Sequence, residues 1–168
     1  SVSDLVSKEI IGVLATPTTV RSSYYKKAIN LKKENFVVFQ QECPEFVSEI
    51  EKSKLNIKRI NLLSDYYLSP LLKNNIQELI LGCSHYPLIY DVLRNKVDPN
   101  INIIDPSNAL IKKFNEFFLI PRNSCYDCIS YNNVRFFVTA KNKEFSQKLK
   151  YWLEINKEIS LVNLPSND

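Results

Sequence analysis

Short apolar runs rich in β-branched residues, each handing over to a longer segment of helical period, restrict this chain to the α/β class with a largely parallel sheet. Ile10–Ala15, Asn35–Gln40, Glu78–Gly82, Ile101–Ile104 and Val134–Val138 read as strands. Helices are expected over Val20–Ile29, from Cys43-Pro44 through Phe46, Val47 and Ile50, over Asn61–Asn75, from Leu88 to Asn95, after Asp105-Pro106-Ser107, and over Lys143–Leu153. Pro70 is expected to bend or break the third of these, because proline lacks the N–H that a helix interior uses. Ile120–Asn133 is irregular and reads as a loop or linker. The blocks before and after about residue 105 need not share one sheet.

Charge and cysteine usage narrow the function. The net charge is +4, with lysines interspersed among acidic residues rather than gathered in a run, so nothing points to nucleic acid. No apolar stretch reaches the roughly 18 residues of a membrane span, and no signal-like segment opens the chain. We therefore read it as cytoplasmic, with no membrane partner and with reduced thiols. The four cysteines, Cys43, Cys83, Cys125 and Cys128, form no secreted-type framework. Glycine occurs only at Gly12 and Gly82, so each is expected where the backbone needs it.

Ligands of open α/β sheets bind beyond the carboxyl ends of the strands. Three such ends carry polar or reactive residues: Thr16-Pro17-Thr18-Thr19, Gln41-Glu42-Cys43-Pro44 and Gly82-Cys83-Ser84-His85. A thiol between a buried strand and a helix start sits in the helix's positive field, which favours a thiolate. Ser84 and the free N–H groups of such a turn can hold a carboxylate. His85, the sole histidine, stands two residues from the thiol, so both could face one ligand. The competing reading makes Cys83 a small core hydrophobe and His85 a cap.

Several segments together resemble glutamate racemases. Leu79-Ile80-Leu81-Gly82-Cys83-Ser84-His85-Tyr86-Pro87-Leu88 is similar to that family's LILGCTHYPL signature around its second cysteine. Ile11–Ser22 resembles its IGVxATxxTVRS segment, and Cys43-Pro44-Glu45-Phe46-Val47 with Glu51 resembles its CPxFVxxxE segment. Tyr67-Leu68 with Pro70-Leu71, and Ile103-Ile104-Asp105-Pro106, also match, in family order and spacing. His85 favours glutamate as substrate, since the related aspartate racemases carry an acidic residue there.

The resemblance implies a two-thiol, cofactor-independent interconversion of L- and D-glutamate that supplies D-glutamate for peptidoglycan, with no metal. Cys83 matches the base acting on L-glutamate. Ser84 and His85 match substrate-contacting residues, with His85 also placed to assist the thiol. Thr16 and Thr19 match threonines lining the cleft, and Glu51 matches a carboxylate supporting the chemistry. The fold implied is a complete three-layer α/β lobe over 8–104, with a mainly parallel sheet and the Cys83 site. Residues 105–168 would form the terminal part of a second, incomplete α/β lobe.

The match has no counterpart for the family's Asp-Ser-Gly segment or for the Cys-Asn-Thr segment with the opposing thiol. The expectation is therefore a carboxyl-terminal portion that is inactive alone. A separate amino-terminal polypeptide could complete it, and a homodimer stays open. Cys43 matches a non-catalytic family position and reads as a semi-buried structural thiol. Thr16 and Thr19 could be plain caps, Glu51 a solvated helix residue, and Asp105 a cap rather than an acid. Ser84 keeps the hydroxyl of the usual threonine, and Ser23 replaces a common glycine. The alternative function is an inactive remnant or glutamate-binding module of the same fold. A thiol-redox or metal role for Cys125-Tyr126-Asp127-Cys128 is a more distant reading, because no second ligand pair accompanies it.

Overall fold

The computed structural model describes residues 9–31, 36–117, 134–140 and 143–164. Its main sheet has the order β2-β1-β3-β4, formed by Glu9–Ala15 (β1), Phe36–Glu42 (β2), Glu78–Leu81 (β3) and Asn102–Ile104 (β4). All three pairings are parallel, with Leu14 opposite both Gln41 and Leu81, and Ile80 opposite Ile104. A parallel sheet needs both faces covered. Alternation along the strands provides for this: Ile11, Val13, Ala15, Val38 and Ile80 enter one core, while Leu14, Leu79 and Leu81 enter the other.

Pro17–Ser22 (α1) and Tyr24–Asn30 (α2) cover the first face through Val20, Tyr25 and Ile29. The second face lies under Phe46–Ile50 (α3), Ile57–Leu72 (α4), a 3-10 turn at Tyr86–Ile89, and Tyr90–Arg94 (α5). Phe46, Tyr67 and Tyr86 are buried there, with Phe46 edge-on to Tyr67 and Tyr86 at centroid distances of 5.0 and 5.3 Å. Burying each such ring stabilises the fold by about 1.5–3 kcal/mol. The result is the expected three-layer arrangement.

Pro106–Phe117 (α6) follows β4, and its Asp105 cap accepts from the Ser107 N–H at 2.9 Å. Beyond it, Phe136–Val138 (β5), Lys143–Leu153 (α7) and Ile159–Leu161 (β6) form a parallel βαβ unit with its own two-stranded sheet. Within this unit Leu149 and Ile155 are buried, and Trp152 packs against the larger core of the main sheet.

Four local expectations are corrected. The single helix expected over Val20–Ile29 is two helices, split where Ser23 turns left-handed at φ 54°, ψ 23°. That conformation suits glycine, which is why a serine there marks a departure. The helix expected from Asn61 begins earlier, at Ile57, because Asn56 caps it by accepting from the Arg59 N–H at 3.1 Å. Pro70 does not break that helix; it sits in its last turn. Finally, the chain after Cys83 runs through a turn and a 3-10 segment rather than directly into a helix. The expected loop over Ile120–Asn133, with Cys125 and Cys128, lies outside the described residues.

Candidate active site

The strand order reverses direction between β1 and β3, since β2 lies to one side of β1 and both later strands to the other. Such a switch point opens a crevice at the carboxyl edge, where the helices after neighbouring strands leave on opposite faces. Thr16 and Cys83 each stand two residues past the paired Leu14 and Leu81, so both leave the sheet at this crevice.

Gly82 makes the close approach possible. Its N–H donates to the Leu14 carbonyl at 2.7 Å, and a Cβ on it would lie 2.9 Å from that same oxygen. It would also meet Ala15 Cβ and Tyr25 Cε2 at 3.1 Å. The next residues are fixed by Tyr86, whose buried ring anchors the turn and whose N–H donates to the Cys83 carbonyl at 3.1 Å. Burial holds the Tyr86 hydroxyl in its neutral form by raising its pKa, and it donates to the Cys43 carbonyl at 3.5 Å.

Cys83 is half-buried rather than sealed. With Tyr25, Gly82, Ser84, Asp105 and Leu110 it lines a cleft of about 220 Å³. Ser107, at the start of α6, is also in the wall, so the helix end beside this thiol is that of α6. Asp105 is engaged there as a cap: its carboxylate accepts from the Ser107 N–H at 2.9 Å and from the Ser107 hydroxyl at 2.7 Å.

On its other side the thiol meets an ordered pair. Cys83 Sγ lies 3.7 Å from His85 Nδ1, and His85 Nε2 lies 3.0 Å from Glu51 Oε1. A carboxylate can only accept, so Nε2 carries a proton, and whenever the ring is neutral Nδ1 faces the thiol as an acceptor. The His85 hydrogen bond lowers the Glu51 pKa, and Lys148 adds to the effect from 3.6 Å. A sulfur nucleophile, a base and an orienting carboxylate in line are the arrangement nucleophilic thiols use.

Thr16 and Thr19 are joined through their hydroxyls at 2.9 Å, and Thr16 accepts from the Thr19 N–H at 3.4 Å, so capping occupies both. They stand at the same crevice, though outside the wall of the Cys83 cleft, as do His85 and Glu51. Cys43 is fully buried rather than semi-buried, and burial pushes its pKa up to about 12. Lys148 and Tyr25 were not expected from the sequence. Lys148 is 97 residues from Glu51 in the chain, and only the docking of α7 joins them. Among the described residues, no three His, Cys, Asp or Glu side chains gather as metal ligands, and no helix is long and apolar enough to cross a membrane.

A glutamate racemase of Prochlorococcus marinus strain NATL1A is 41% identical over 160 residues, covering 95% of this chain and 60% of that protein. Another, from strain NATL2A, is 39% identical over 165 residues, covering 98% of this chain and 62% of that protein. The chain is a partial-length homologue of glutamate racemases. It spans about 60% of the length of these curated relatives. Solved racemases share its fold. The Bacillus anthracis glutamate racemase isoform superposes with a TM-score of 0.76 at 25% identity, over 97% of this chain and 60% of that one. The Francisella tularensis glutamate racemase, solved in complex with D-glutamate, gives 0.70 at 31% identity, over 92% of this chain and 58% of that one. No protein-family model matches the chain.

Proposed function

We propose that this chain is the carboxyl-terminal portion of a cofactor-independent glutamate racemase, with Cys83 as one of two opposed thiols. The observation that carries the reading is the line from Cys83 Sγ through His85 to Glu51, set beside a cleft at the switch point of the sheet. In the proposed step, the Cys83 thiol gives its proton to His85 Nδ1, and the thiolate then takes the α-proton of L-glutamate. A second thiol on the opposite face returns a proton to the carbanion and so inverts the centre. His85 acts directly on the thiol, and Glu51 orients the ring. Ser84, in the cleft wall, is the hydroxyl we assign to a substrate carboxylate; Thr16 and Thr19 join it only if substrate displaces their mutual hydrogen bond. Abstraction from so weak an acid depends on positioning and on donors for the developing charge.

The product, D-glutamate, serves peptidoglycan and hence cell-wall biogenesis and cell shape, and we place the protein in the cytoplasm. We assign 8–104 to a lobe complete in itself and 105–168 to a second lobe, which an amino-terminal polypeptide carrying the opposing thiol completes. Cys43 is sealed and does not serve as that thiol. This same fact favours the second reading, an inactive glutamate-binding module, since no other cysteine among the described residues reaches the cleft.

Proton NMR in heavy water tests both readings. Glutamate enantiomers are incubated with the chain alone and with a polypeptide bearing the family's Cys-Asn-Thr segment. The racemase reading expects α-proton exchange and inversion in the mixture, falling by roughly 10²–10⁴-fold in Cys83→Ala. Saturable binding without exchange in the mixture selects the binding module, and absence of any binding discards both.

A further inference from the structure

We propose that Lys148 is a positioning residue for the Cys83 site, anchoring one oxygen of Glu51 so that the other stays on His85. Glu51 follows the five-residue α3, is half exposed, and is succeeded by the irregular Lys52-Ser53-Lys54. A carboxylate on such a segment has little else to hold its rotamer. Lys148 approaches Oε2 at 3.6 Å while Oε1 receives the His85 Nε2–H at 3.0 Å, so the two contacts divide the carboxylate between them. Lys148 is held in turn. Its neighbour Leu149 is buried, and Trp152 on the same helix packs into the larger core. Its own side chain is only 24% exposed, low for a lysine.

Other charged groups face the same carboxylate from neighbouring segments. Lys52 is bonded to Glu49 at 2.7 Å, and Lys54 and Glu144 line the same concavity as Glu51 and Lys148. At the thiol end, Tyr25 and Asp105 line the cleft, with Asp105 occupied by Ser107. The consequence concerns the imidazole. While Glu51 is held, the Nε2–H tautomer is favoured and Nδ1 remains an acceptor for the thiol; once Glu51 is released, that preference weakens.

The inference rests on the reading of Cys83 as a base, but its test needs no substrate. His85 is the sole histidine, so ¹⁵N NMR of the full chain reads one imidazole and reports its tautomer ratio and its titration together. Lys148→Met is expected to lower the ratio of Nε2–H to Nδ1–H tautomer by about threefold, the size a partly exposed ion pair supports, and Lys148→Arg to restore it. Trp152 emission should stay at its wild-type wavelength, showing that α7 remains docked; Lys148→Gln replaces the methionine variant if it does not. An unchanged tautomer ratio overturns the inference. So does a titration that moves upward with the ratio intact, which marks Lys148 as a neighbouring charge and nothing more. A chain that shows the Lys148-dependent tautomer shift, yet gives no glutamate exchange when mixed with the polypeptide bearing the Cys-Asn-Thr segment, overturns the racemase reading alone.

Discussion

Cys43 follows β2 and Cys83 follows β3, on either side of β1, and their surroundings divide two chemically identical thiols into different roles. Cys43 is packed among Phe46, Tyr67 and Tyr86, and its N–H donates to the Ala15 carbonyl at 2.9 Å. Burial raises its pKa to about 12, so the fold favours its neutral form, and the thiolate needed for alkylation is suppressed at any pH below that value. Cys83 lies in a cleft wall with an imidazole nitrogen as its partner. Iodoacetamide at pH 8, followed by peptide mass mapping, should label Cys83 roughly a hundredfold faster than Cys43 in the native chain. The difference should disappear in denaturant. Equal native rates would refute the assignment of Cys43 as structural.

At the scale of elements, the two glycines make a matched pair. A Cβ on Gly12 would meet the ends of flexible side chains, Ile76 Cδ1 at 2.8 Å and Leu71 Cδ1 at 3.2 Å, which can give way. A Cβ on Gly82 would meet the Leu14 backbone oxygen at 2.9 Å, which is fixed in the β1–β3 pairing. Gly82→Ala is therefore expected to destabilise by about 1–3 kcal/mol and Gly12→Ala by less, measured as shifts of the urea midpoint. The reverse order would show that the strands can separate without cost at the crevice. Scarcity led to the expectation that the backbone needs both glycines; it does so at Gly82, while at Gly12 the neighbours are flexible side chains. The split at Ser23 was not legible in the sequence, because a serine in left-handed backbone has no local pattern to announce it.

For the whole molecule, the docking of α7 links the βαβ unit of β5 and β6 to the main sheet. Trp152 is the only tryptophan in the chain and packs against the core that also contains Phe46, Tyr67 and Tyr86. Its emission should therefore shift to the red at the same denaturant concentration at which far-UV circular dichroism is lost. Two separated midpoints would show that α7 leaves the main sheet before that sheet unfolds. The Lys148–Glu51 contact exists only while α7 is in place, so it is lost with the Trp152 transition.

Residue order by itself determined the α/β class, the strands of the main sheet within a few residues at their ends, and the strand end that carries the thiol. These rest on hydrophobic period and on local chain direction, which a linear sequence records. It also placed Cys83 and His85 within reach of each other, because they are two positions apart. Tertiary structure alone decided that β1 lies between β2 and β3, and so where the crevice opens. It also decided that Glu51 reaches His85 across 34 residues and that Lys148 arrives from a distant helix. Contacts between separated segments depend on how packed faces register against one another, and no periodicity along the chain encodes that.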